Sequence, residues 1–254
     1  MKELSILFIF SIVFLACSRE DSSFIDEGPD QEISNPNTTY DIRSILSKFS
    51  GTGLSYEVNG NTVTFITQDL PDHTSPYWEA DHPLYEPYNG TNLNWRQNPG
   101  NIGVQNIVFT ISLNPQEATN KTPTGLGPIG IARNGVVFFN QYAAGNAPLS
   151  NEIDSFDQWL GHPANTTYHY HVEPTWLTNE FGSDAFLGLL VDGFPVYGPM
   201  ENGNLITNAD LDEYHGHVHD TQDFPNGIYH YHITSEDPYL NGNGYFGTAG
   251  NITR

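Results

Sequence analysis

Tyr168-His169-Tyr170-His171 is repeated as Tyr229-His230-Tyr231-His232. Successive side chains of a β-strand point to opposite faces. Read as strands, both tetrapeptides place two imidazoles on one face and two phenol rings on the other. At 10 His and 14 Tyr in 254 residues, such a tetrapeptide is too rare to recur by chance. The duplication extends upstream: Phe156-Asp157-Gln158-Trp159-Leu160-Gly161-His162 matches Leu211-Asp212-Glu213-Tyr214-His215-Gly216-His217. Both units read apolar-Asp-x-x-x-Gly-His and then Tyr-His-Tyr-His. The second has the longer internal loop, which adds His219. The pattern predicts two related half-sites.

Outward from the repeat, the punctuation is that of hairpins. Segments 54–58 and 62–66 flank Asn59-Gly60-Asn61, segments 129–132 and 136–139 flank Arg133-Asn134-Gly135, and segments 186–191 and 194–197 flank Asp192-Gly193. Asn-Gly and Asp-Gly favour the positive φ angles of tight turns. Residues 104–113 are rich in β-branched side chains and predict a strand. Asp41 is the expected cap of one short helix over 42–49. With 24 Gly, 17 Pro and no long helical stripe, the expected class is mostly β. The expected architecture is a single antiparallel β-rich domain, sandwich or barrel-like, with many loops and at most short helices.

Charge narrows the function. Eight Lys and Arg against 30 Asp and Glu leave a net charge of −22, which excludes a nucleic-acid partner, since a phosphate binder needs a basic stripe. A 13% aromatic content argues for a packed core rather than a disordered chain. The sequence shows no Gly-rich phosphate loop, no Gly-x-Ser-x-Gly elbow, no His-Glu-x-x-His helix and no calcium-loop spacing.

The first residues read as an address. Lys2 precedes an apolar run that ends Phe14-Leu15-Ala16-Cys17, too short to span a bilayer. Residues 1–16 are expected to be a lipoprotein signal peptide, with Cys17 the lipidated first residue of the mature chain. The alternative is ordinary cleavage that leaves Cys17 free. With a single Cys, no intrachain disulfide can form. Residues 17–38 read as a flexible tether and 39–254 as the folded domain. The expected place is the cell envelope, anchored to the outer membrane through the lipid on Cys17. The acidic Glu20-Asp21 after it points to surface exposure.

The histidine face predicts metal. His-x-His on a strand offers one ion two nearby nitrogens, so His169 with His171, and His230 with His232, are the expected pairs. His162 and His217, each after a Gly, are the expected third ligands. Asp157 and Asp212 are expected as further ligands or as groups that orient the imidazoles. Imidazole suits Zn²⁺, Cu²⁺, Fe²⁺ or Ni²⁺, and Cu or Zn is favoured here. His215 and His219 form a period-two triplet with His217, either a second metal face or a polar loop. His73, within Asp72-His73-Thr74-Ser75-Pro76-Tyr77-Trp78, is placed at the rim. One shared centre and two separate centres both remain open.

Together these residues resemble the YHYH-domain family. The resemblance covers about residues 53–247 and runs through Leu70 to Trp78, Leu126-Gly127-Pro128-Ile129-Gly130-Ile131-Ala132, Gly161-His162-Pro163, Asp192-Gly193-Phe194-Pro195-Val196-Tyr197-Gly198-Pro199 and both tetrapeptides. It implies membership and no established activity, and it supports His73 as a site residue. Members often carry Cys where this chain has Trp159, Trp176 and Tyr214, which implies aromatic packing in place of a disulfide staple. Three functions stand at this point: a metal-binding lipoprotein, a metal-dependent enzyme (hydrolytic or copper oxidative), and a metal-free structural, adhesion or carbohydrate-binding module. Aromatic residues such as Trp78 and Trp95 suit a neutral small-molecule or carbohydrate ligand.

Overall fold

The computed structural model describes residues 39–254. The expected signal peptide, the lipidated Cys17 and the tether to residue 38 lie outside the described residues. The first element is a 3-10 helix, Arg43–Lys48, rather than the capped helix expected over 42–49. Asp41 does not cap it; its carboxylate takes the Arg43 amide at 3.0 Å and the guanidinium at 2.8 Å. Ile42 and Ile45 are both buried, and a three-residue spacing stacks side chains on a 3-10 turn.

The predicted hairpins form. Strands β1 (Leu54–Asn59) and β2 (Thr62–Thr67) pair with Asn59 opposite Thr62, so Gly60 and Asn61 alone make the turn. Gly60 takes the positive φ of 60° that such a turn requires. The strand expected over 104–113 is β3 (Ile107–Ser112), whose alternate residues Ile107, Phe109 and Ile111 are buried.

A larger sheet carries the duplicated motif. Its strands are β4 (Pro128–Ala132), β5 (Val137–Phe139), β6 (Gly161–Ala164), β7 (Thr167–Tyr170), β8 (Phe186–Leu190), β9 (Pro195–Tyr197), β10 (Gly216–His219) and β11 (Ile228–His232). They lie in the order β10-β11-β9-β8-β4-β5-β7-β6. The last strand, β12 (Asn251–Thr253), closes the smaller sheet β1-β2-β3-β12.

The eight-stranded order is the same path taken twice. A hairpin (β4-β5, or β8-β9) is followed by a second hairpin (β6-β7, or β10-β11), and the two halves meet where β4 runs antiparallel to β8. The sheets are open rather than barrel-like, and the large one is mixed. β5 pairs with β7 in parallel, and β9 with β11 likewise. A parallel pair needs a long crossover. Segments 140–160 and 198–215 supply it with turns, 3-10 helices and two-residue strands. The one α-helix among the described residues, Thr175–Phe181, links the halves and stops at Gly182, whose φ is 106°. Tyr168, Tyr170, Tyr229 and Tyr231 are fully buried, so the phenol face of each tetrapeptide belongs to the core.

Candidate metal centres

Each half folds three imidazoles together. In the first, His162 on β6 sits directly opposite His169 on β7. In the second, His217 on β10 sits opposite His230 on β11. Directly opposed residues of an antiparallel pair have the nearest side chains in a sheet. The third ring, His171 or His232, comes two residues along and so on the same face. Ring centroids are 4.5 Å apart for His162 and His169 and 4.7 Å for His169 and His171. In the second half, His217–His230 and His230–His232 are both 4.8 Å.

Backbone carbonyls set the tautomers. His169 Nδ1 donates to the Thr167 carbonyl at 3.0 Å and His171 Nδ1 to the Asn140 carbonyl. His230 Nδ1 donates to the Ile228 carbonyl at 2.9 Å and His232 Nδ1 to the Gly198 carbonyl at 2.7 Å. A carbonyl can only accept, so each Nδ1 carries the proton and each neutral ring keeps a lone pair on Nε2. Those lone pairs face one another. His169 and His171 Nε2 are 2.9 Å apart, and His230 and His232 Nε2 are 3.0 Å apart. In the first half the Ser155 hydroxyl donates to the Glu152 carbonyl, so His162 Nδ1 donates to Ser155 Oγ at 2.7 Å. His162 Nε2 is then a buried atom without a hydrogen-bond partner.

Facing lone pairs repel unless a cation lies between them. Burial makes the proton a poor choice. It pushes His162 down to about 3 and His171 to about 4. It pushes His169 well below the usual histidine range, with His162 and His171 adding to the effect. It also takes His230 down to about 4, although Glu201 pulls the other way. Two nitrogens on a tetrahedral zinc ion are about 3.3 Å apart, given bonds of about 2.0–2.1 Å. The residues therefore suit a metal ion held by nitrogen. Two groups of ligand atoms meet this test: His162, His169 and His171, and Glu201, His217, His230 and His232. Within each group the atoms lie within 4.8 Å of one another. The groups sit on β7 and β11, five strands apart, or about 24 Å at ordinary strand spacing. They are two sites rather than one shared centre.

Sequence reasoning missed the carboxylates. Glu201 Oε1 lies 3.1 Å from His230 Nε2, and its Oε2 3.5 Å from His217 Nε2. The carbonyls of Asn140 and Gly198 play the same part in the two halves, so Ala143 occupies the place of Glu201 in the first. There Glu152 stands in from a different turn, with Oε2 3.6 Å from His162 Nε2 and 4.0 Å from His171 Nε2.

The aspartates of the motif serve the phenol face instead. Asp157 accepts from Tyr168 OH at 2.8 Å, from Ser75 Oγ at 2.6 Å and from the Trp159 and Gly161 amides. Asp212 accepts from Tyr229 OH at 3.0 Å and from the Tyr214 and Gly216 amides. Neither bonds an imidazole of its cluster, so their expected role in orienting those rings goes to the backbone carbonyls. The Gly of the motif is needed here, since a Cβ at Gly161 or Gly216 would collide with the hydroxyl of Tyr168 or Tyr229.

The rim residues separate. His73 lies on the phenol side, buried, with Nε2 3.0 Å from Tyr170 OH, and joins neither cluster. His215 is buried and bonds Thr234 Oγ1 at 3.0 Å. His219 is outside the second cluster but its Nδ1 is 3.3 Å from Glu201 Oε2. The triplet 215–219 is therefore not one metal face. Trp159 and Trp176 pack edge to face at 5.0 Å, while Tyr214 lies 6.4 Å from Phe246.

A family model described as YHYH protein matches residues 108–204 and 200–243. It spans both histidine clusters and stops short of the His73 stretch. No curated protein and no solved structure matches the chain. With more than half of its length under the family model, the chain belongs to the YHYH family.

Proposed function

We propose that this protein is a lipid-anchored metal-binding protein of the cell envelope that holds two transition-metal ions, Zn²⁺ or Cu²⁺, one in each half. The observation that carries the reading is the convergence of imidazole lone pairs whose Nδ1 protons are committed to backbone carbonyls. Three nitrogens in the first half, and three nitrogens with a carboxylate in the second, are ligand sets that such ions accept. The anchor rests on the Cys17 motif and its flanking sequence.

The test is elemental analysis of untagged protein purified from the periplasm without chelating resin. Two equivalents per chain are expected. H169Q/H171Q should remove one and H230Q/H232Q the other, while circular dichroism reports whether each variant is folded. A folded wild-type protein that is metal-free and takes up neither Zn²⁺ nor Cu²⁺ in titration would overturn the reading.

A further inference from the structure

The two clusters differ in access. The side chains of His162 and His171 are each 2% exposed. In the second cluster His217 is 23% exposed and Glu201 13%. Beside them stands His219, 43% exposed, with Nδ1 3.3 Å from the outer oxygen of Glu201. Asp220 lies 3.5 Å from the same nitrogen. A chain of donors thus runs from solvent inward, from Asp220 and His219 through Glu201 to the buried nitrogens of His230 and His232. The first cluster also has a part-exposed carboxylate, Glu152, 27% exposed with Oε2 3.6 Å from His162 Nε2, but among the described residues no exposed imidazole stands beside it. Its His162 ring is pinned from behind by Ser155, and Phe139 stacks on His169 at 3.8 Å.

We infer that the two ions have separate duties, which rests on the metal reading above. The first is retained as part of the fold, and the second is exchanged with the surroundings, entering and leaving by way of His219 and Glu201. Ligand exchange at a divalent ion is fastest when an incoming donor binds before an old one departs. His219 is placed to be that donor once its ring turns, since its Nδ1 now donates to the Asp220 carbonyl at 3.1 Å beside Glu201 and its Nε2 keeps the lone pair. Releasing the first ion requires opening the sheet edge, and local opening is rare where contacts are buried. The protein would then accept and hand on a borderline divalent cation at one edge of the sheet while the other edge stays loaded.

The experiment is metal release from the full chain loaded with two equivalents of Zn²⁺, followed with a chromogenic chelator in excess. Two phases of one equivalent each are expected, differing in rate by about 100-fold or more. H219A should slow the fast phase by about 10-fold and leave the slow phase alone. E201Q, which removes a ligand of the second cluster only, should change the rate of the fast phase and leave the slow phase alone, which assigns the fast phase to that cluster. A single phase for both equivalents would overturn the division of duties while leaving metal binding intact, as would a fast phase untouched by H219A and E201Q. Failure to load any Zn²⁺ would instead remove the reading on which the inference stands.

Discussion

At the hairpin tip the first half places Asn134 and the second Asp192. Under the motif histidine the first half has Ser155, and among the described residues the second has no hydroxyl bonded to His217. Where the first half has Phe139 against its central ring, the second has Tyr197. Where the first has Ala143, the second has Glu201. The shared parts are those that shape the sheet: the Gly before His162 and His217, the Asp that holds a phenol, and the carbonyl that fixes each Nδ1. Duplication has thus kept the geometry that aims three nitrogens at one point. The surroundings of that point were free to diverge, leaving a half whose rings are dry, with Glu152 3.6 Å from His162, and a half whose His217 reaches solvent, with Glu201 3.1 Å from His230.

Acid offers the largest effect. Burial lowers His162 to about 3 and takes His171, His215 and His230 to about 4, from an ordinary 6.5. It lowers His73 and His169 as well. The unfolded chain then binds more protons between those values, so stability falls as pH drops from about 6.5 to about 4. Buried aspartates act the other way. Asp192 is raised to about 6, and Asp69 and Asp157 are raised too. The contribution of Asp192 is lost as pH rises from about 4 to 6. The lowered histidines outnumber the raised aspartates. Chelator-treated protein should therefore lose several kcal/mol across this interval, at about 1.4 kcal/mol for each tenfold difference in proton affinity between folded and unfolded chain. Thermal melts from pH 7 to pH 4 check this. Ordinary imidazoles give up a metal to protons between about pH 7 and 5, and this window moves lower for the first centre because burial makes its rings resist protons. Metal lost from the first half above pH 5 would contradict the dry description.

The aspartates sharpen the contrast. Asp157 is fully buried among four donors, whereas Asp212 is exposed. D157A leaves two hydroxyls and two amides without an acceptor and should cost about 3–5 kcal/mol. D212A lets water replace the carboxylate and should cost about 1 kcal/mol. Urea unfolding of the two variants compares them directly, and equal costs would break the comparison. The carboxylates beside the two histidine clusters should differ next. E201Q should weaken Zn²⁺ at the second centre by about 10–100-fold, whereas E152Q, farther from its rings, should change the first by less than about 3-fold.

How much of this the sequence disclosed follows from what periodicity records. Alternation in Tyr-His-Tyr-His separated the faces correctly, and Asn59-Gly60 and Asp192-Gly193 located their turns. A strand pattern does not record the direction of its neighbour, so the parallel pairs β5-β7 and β9-β11 were illegible. Glu201 sits in a two-residue strand, Met200–Glu201, beside Asn202-Gly203, where no period can show. The repeat itself could have found it. Aligning Gly130-Ile131-Ala132-Arg133-Asn134-Gly135 with Gly188-Leu189-Leu190-Val191-Asp192-Gly193 carries the duplication on to positions 143 and 201. The role of Asp157 and Asp212 was misjudged because their turn delivers the carboxylate beneath the sheet, toward the phenols, and sequence spacing does not give that direction.

The smallest effect concerns the one phenol among the described residues that borders a histidine cluster. The Tyr197 ring lies 5.2 Å from that of His230, and its hydroxyl donates to Asp223 at 2.9 Å beside Thr221. Lys48 also pairs with Asp223. Phe139 holds the equivalent place in the first half, so the fold has already accepted the ring without its oxygen. Y197F should cost about 1 kcal/mol, the ordinary net worth of one hydrogen bond, because Lys48 still satisfies the carboxylate. Metal affinity should not move, since the oxygen points to the 221–223 loop and away from the converging nitrogens. Urea unfolding and Zn²⁺ titration of the same variant separate the two outcomes. A 10-fold change in affinity with unchanged stability would show that the hydroxyl acts on the centre. The two halves would then differ in the chemistry of their metals as well as in their access to solvent.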